Sequence, residues 1–153
     1  ISATIIHIPT IITGIILGPI AGLIMGILLG FTSLIHALTR PATILDPFFI
    51  NPLISVLPRM FIGVISYYVY RFFNNLNISI SSLFAGVAGS LTNTGLVFLM
   101  LYIVYAKQVA EEVGIAFKAI VISVFTTNAI AEAAVSAIIT AVIVTVYKKY
   151  RKV

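Results

Sequence analysis

The chain has 153 residues, 61% hydrophobic and 8% charged, with a net charge of +5 and a mean hydropathy of +1.19. A soluble domain is about a quarter charged, so these residues have too few charges to cover a fold in water, whereas a lipid-embedded exterior must itself be apolar. The absence of cysteine excludes disulfides and thiolate metal sites.

Taken in order, the sequence predicts an all-α, polytopic transmembrane bundle occupying residues 1–153 as a single integral membrane domain. No Asp, Glu, Lys or Arg occurs from Ile1 to Thr39, a length that holds up to two crossings of roughly 20 residues. Gly18-Pro19 is the natural break, because proline resists a helix interior. Helix A is then expected at about 3–17, short for a bilayer of about 30 Å, and helix B at about 19–38. Pro41, Pro47, Pro52 and Pro58, with Arg40, Asp46 and Asn51, predict an ordered loop or cap at one membrane face. Helix C follows at about 54–73, and Asn74, Asn75 and Asn77 make a turn. Helix D is expected at about 79–106, within the 35 uncharged residues between Arg71 and Lys107. Lys107, Glu111, Glu112 and Lys118 mark an exposed or interfacial connection, with room for a short helix at about 110–124. Helix E covers about 126–147 and ends in Lys148, Lys149, Arg151 and Lys152.

This gives five crossings. Placing the basic tail inside also places Arg71 inside, for five basic residues against Arg40, Lys107 and Lys118 outside. The C-terminus is then cytoplasmic and Ile1 lies outside, which predicts a sixth, N-terminal crossing in the complete chain. Tyr67, Tyr68, Tyr70, Phe72, Phe73, Tyr147 and Tyr150 form the expected inner aromatic belt, and Tyr102 and Tyr105 mark the outer one.

Two rows of small residues recur every four positions: Gly18, Gly22, Gly26 and Gly30 in helix B, and Ala129, Ala133, Ala137 and Ala141 in helix E. Such rows let a second helix approach closely, either within the chain or on a partner. Arg59, just after Pro58, must face protein, water, a ligand or the headgroups. Its planar fork suits a carboxylate or phosphate. Asn128, Glu132, Ser136 and Thr140 make one face of helix E polar, and Glu132 is the single acid within a predicted span. An intramembrane carboxylate points to function, with a structural ion partner as the alternative. Thr92, Asn93 and Thr94 interrupt the apolar run of helix D within Gly89 to Gly95, offering groups to a polar solute or to another helix. His7 and His36 are far apart, and without cysteine or an HxxxH pattern no metal site is expected. There is no P-loop and no GxSxG. No enzymatic activity is expected of the chain by itself, nor any cofactor, and ATP would have to be bound by another chain.

Ile1 to Pro9, Leu17-Gly18-Pro19, Leu57-Pro58-Arg59, Gly89 to Gly95 and Asn128 to Glu132 together resemble the substrate-binding S components of energy-coupling factor (ECF) vitamin transporters of prokaryotic cell membranes. The resemblance covers nearly the whole chain. It implies a six-helix, multi-pass protein that captures a vitamin near the outer face, together with a transmembrane coupling subunit and two cytoplasmic ATPases. Among family members the chain looks most like the pantothenate type. On that reading Arg59 pairs the carboxylate, Asn93 and Asn128 bind neutral groups, and His7, Thr92 and Glu132 complete the set. Glu132 suits instead a neutral ligand such as hydroxymethylpyrimidine or pyridoxine. From the residues alone, a self-sufficient ion-coupled carrier is the alternative class, although such carriers usually show internal repeats and none is visible. An intramembrane enzyme using Glu132 with His7 or His36, and a subunit without a ligand, are the remaining readings.

Overall fold

The computed structural model describes residues 5–40, 46–112 and 114–151, with only the backbone over most of 106–126. Among these residues there is no strand. Six α-helices follow one another: α1 Ile8–Leu17, α2 Pro19–Thr39, α3 Pro52–Ser55, α4 Leu57–Phe72, α5 Ile78–Glu112 and α6 Gly114–Tyr150. A 3-10 turn, Ile5–His7, leads into α1, and another, Asp46–Ile50, precedes α3. Four stretches are long and apolar enough to cross a membrane: Pro19–Thr39, Pro52–Phe72, Ile78–Tyr105 and Thr127–Tyr150. Ile5–Leu17 is a shorter apolar helix. Its 13 residues span about 20 Å, less than a hydrocarbon core.

The break between α1 and α2 falls at Gly18, whose φ of 104° is open to glycine and strained for other residues. Gly18 donates to the Gly14 carbonyl, and Pro19 opens α2 where its missing N–H costs nothing. The two helices fold back on each other so closely that a Cβ on Gly22 would sit 2.8 Å from the Gly14 Cα and 2.9 Å from the Gly63 Cα. The glycine row of α2 continues along α4. Gly26 abuts the backbone of Arg59 and Met60, and a Cβ on Gly30 would lie 2.5 Å from the Val56 Cα. Gly22, Gly26 and Gly30 therefore pack inside the chain against α1 and α4, while Gly18 makes the turn.

The expected helix C is divided. Asn51 caps α3 by accepting from the Leu53 N–H at 3.0 Å, and a bend at Val56 separates α3 from α4. The expected turn at the asparagines spans Phe73 to Asn77, and Ser81 Oγ closes it with a 2.7 Å bond to the Phe73 carbonyl. The long helices differ from expectation in length. α5 runs on to Glu112 and α6 already starts at Gly114. The 35 residues of α5 extend over about 52 Å, well beyond a hydrocarbon core of about 30 Å. The short helix expected at about 110–124 is thus the end of one long helix and the start of the next. Ile1 to Thr4, Pro41 and Lys152 lie outside the described residues, as do the side chains of Asp46, Lys107, Glu111, Glu112 and Lys118.

Candidate functional site

Hydroxyls inside this bundle differ in how they are satisfied. Ser66, Ser82 and Thr92 each donate to a carbonyl four residues back on their own helix, at 2.7 Å in every case. Thr10, Ser90 and Thr140 do not: their oxygens are fully enclosed and have no partner among the described residues. The Asn93 side-chain carbonyl shares that condition. A buried polar atom without a partner costs about 1–3 kcal/mol, and such atoms mark places built to receive water or a solute.

These atoms share one seam. His7 Nε2 lies 2.8 Å from Ser136 Oγ, joining the start of α1 to the middle of α6 in a fully buried contact. Thr10 follows His7 by one turn of α1, as Thr140 follows Ser136 on α6. The two helices run in the same direction, so Thr10 and Thr140 each lie one turn further along from the His7–Ser136 contact. On α5, Gly86 packs against Ser136 and Ala137, and Gly89 against Ile11 and Ser66. By the same α5–α6 count Ser90 comes level with about residue 133, one turn from Ser136 on the α5 side. The seam is the meeting line of α1, α5 and α6.

Asn93 extends the seam by one turn. Counting along the antiparallel α5–α6 pair from the Gly86–Ala137 contact, Asn93 comes level with about residue 130, between Asn128 and Glu132. Asn93, Asn128 and Glu132 are all half-buried. Ala129, Ala133 and Ala137 are buried beside them, and Ala141 is half-buried. The same counting from the Gly89–Ser66 contact along α4 and α5 sets Arg59 level with about residue 96, one turn beyond Asn93.

Arg59 Nη1 donates to the Ile54 carbonyl at 2.8 Å, and its guanidinium lies 5.0 Å from the centre of the Phe49 ring. The arginine thereby ties α4 to the segment that precedes it. Phe48, Phe49 and Ile54 of that segment pack on Val97, Leu101 and Tyr105 of α5, with Phe48 edge-on to Tyr105 at 4.8 Å. This apolar cap closes the same end of the bundle at which Arg59 sits.

Of the residues singled out from sequence, His7, Asn93, Asn128 and Glu132 gather at or next to the seam. Arg59 borders it one turn beyond. The Thr92 hydroxyl is spent on the Ala88 carbonyl. Thr10 and Ser90 were not visible as candidates; the spacing of Thr10 three residues after His7, on one face of α1, is the signal that carries it.

The sequence pattern of the family described as "ECF transporter, substrate-specific component" matches residues 1–144. The chain belongs to this family. It is therefore an S component, a subunit of a transporter and not an enzyme. It is 30% identical over 166 aligned positions to the pantothenic acid transporter PanT of Lactococcus lactis subsp. cremoris strain MG1363, an alignment covering 99% of this chain and 80% of that protein. The helical, multi-pass architecture expected from the sequence accords with the family. The polar seam is the S component's candidate site for the substrate.

Proposed function

We propose that this S component binds pantothenate and delivers it to an ATP-driven importer. The observation that carries the reading is the set of enclosed polar atoms without partners, on Thr10, Ser90, Thr140 and Asn93, in one seam of an apolar bundle. Pantothenate offers hydroxyls and an amide that complement them, and a carboxylate at its far end. Arg59 gives one N–H bond to the Ile54 carbonyl, and a guanidinium has five donors, so its fork retains capacity for that carboxylate. The similarity to a pantothenic acid transporter supports the same ligand. Asn128 and Glu132 flank the site and favour its amide and hydroxyl groups.

Energy must come from elsewhere, since the chain carries no P-loop. The reading therefore includes a transmembrane coupling subunit and two ATPase subunits, with the basic C-terminal end of this chain facing the cytoplasm. Calorimetry on the purified chain in detergent, without partners or ATP, tests the ligand. Tight binding of pantothenate, absent for hydroxymethylpyrimidine and pyridoxine, is the expected result. Binding of either neutral ring in preference to pantothenate overturns the choice of ligand, and uptake by this chain alone under an ion gradient overturns the shared-importer reading.

A further inference from the structure

The end of the bundle remote from the seam carries a second arrangement, which substrate capture does not use. Lys148 Nζ donates to the Tyr70 hydroxyl at 2.9 Å and lies 4.1 Å from the centre of that ring. This pins the end of α6 to the end of α4. Next to the clasp, Val142, Ile143, Val146, Tyr147, Tyr150 and Arg151 line a shallow trough along the outer face of α6. The trough is carbon along its length and cationic at its end. Arg151 and Lys149 are exposed there, as is Arg71 beyond Tyr70.

Among the described residues no acidic side chain balances these charges. The four acidic side chains of the sequence are Asp46, Glu111, Glu112 and Glu132. The backbone places Asp46, Glu111 and Glu112 at the opposite end, and Glu132 lies about five turns up α6 from Arg151. We propose that the trough is a binding site for one anionic phospholipid, with an acyl chain along Val142, Ile143 and Val146 and the phosphodiester at Arg151. A zwitterionic headgroup fits less well, because its ammonium finds no acidic side chain at this end among the described residues. Tyr147 and Tyr150 belong at the same depth, where a phenol keeps its ring in the acyl region and its hydroxyl among the headgroups. Arg151 Nη1 leans on the Tyr147 hydroxyl at 3.4 Å, a long contact that leaves the rest of its fork facing outward.

The test is native mass spectrometry of the full chain released from bilayers of equal phosphatidylcholine and phosphatidylglycerol. The expected result is retained phosphatidylglycerol in preference to phosphatidylcholine. That preference should fall about fivefold in Arg151→Gln and less in Lys149→Gln, whose side chain leaves another face of α6, and Arg151→Lys should keep most of it. Both side chains are exposed, so the variants fold, and an unchanged helical circular-dichroism spectrum checks this. Equal retention of the two lipids by the wild-type chain overturns the proposal, as does a preference that both substitutions leave intact. Loss of the lipid on assembly with a coupling subunit would make this face a protein interface and overturn it too.

Discussion

Replacing Asn93 by alanine removes an enclosed carbonyl oxygen that has no partner in the unliganded bundle. The folded state gives up no hydrogen bond of that atom, so thermal stability in detergent should stay the same or rise slightly. The ligand, by contrast, loses a bond worth about 1–3 kcal/mol when its partner group is left buried, which lowers affinity by roughly 5- to 150-fold. Calorimetry beside a melting curve reads both quantities. A matched loss of stability and affinity would mean that Asn93 is structural. Arg59→Ala separates differently, because it also unties the cap from α4. It should weaken pantothenate by at least tenfold, the order of one charge-assisted pair, and should weaken the primary-alcohol analogue of pantothenate far less. An equal loss for both ligands would show that the arginine acts only through the cap. Arg59, Asn93 and Glu132 were legible in the sequence because a charge or an amide within an apolar span is costly enough to demand a reason. Thr10 and Ser90 were not, because a helix can absorb a hydroxyl onto its own carbonyl, as it does for Ser66 and Thr92. Only the packing distinguishes the hydroxyls that are spent from those that are not.

At the scale of elements, the α1–α2–α4 junction is held by backbone contact and not by large side chains. A Cβ at Gly22 or Gly30 runs into main-chain atoms of neighbouring helices, which cannot rotate out of the way. Gly30→Leu should therefore force α2 from α4 and cost about 1–3 kcal/mol or more, seen as a lower melting temperature and poor recovery from detergent. A variant as stable as the wild type would mean that α2 can shift along α4. The row itself was plain in the sequence, but its partner was not, since spacing reveals a smooth face without revealing what lies on it. The Gly18-Pro19 break and the turn at Asn74 to Asn77 were legible for a simpler reason: each is set by local backbone chemistry. The ends of α5 and α6 were missed because Lys107, Glu111 and Glu112 show where the apolar stretch stops, and a helix need not stop with it.

For the molecule as a whole, the decisive quantity is which end faces the cytoplasm. The Lys148–Tyr70 bond sets the end of α6 at the same end as Arg71, so Arg71, Lys148, Lys149 and Arg151, four of the basic residues grouped by counting crossings, share one end of the backbone. Arg40 lies at the other end, after α2. Basic residues near membrane ends tend to be retained on the cytoplasmic side, so the proposed orientation puts the Phe73–Asn77 turn inside and Thr39 outside, and it is open to a direct test. The chain has no cysteine, so a single introduced thiol reports on one position without background. Thr39 and Asn75 are both exposed and lie at opposite ends. In intact cells, Thr39→Cys should react with a membrane-impermeant maleimide, whereas Asn75→Cys should react only after the membrane is opened. The reverse pattern would place the cap and the seam's nearer end at the cytoplasm. Arg59 could not then meet an incoming solute first, and capture from outside by this site would be ruled out whatever ligand the seam binds.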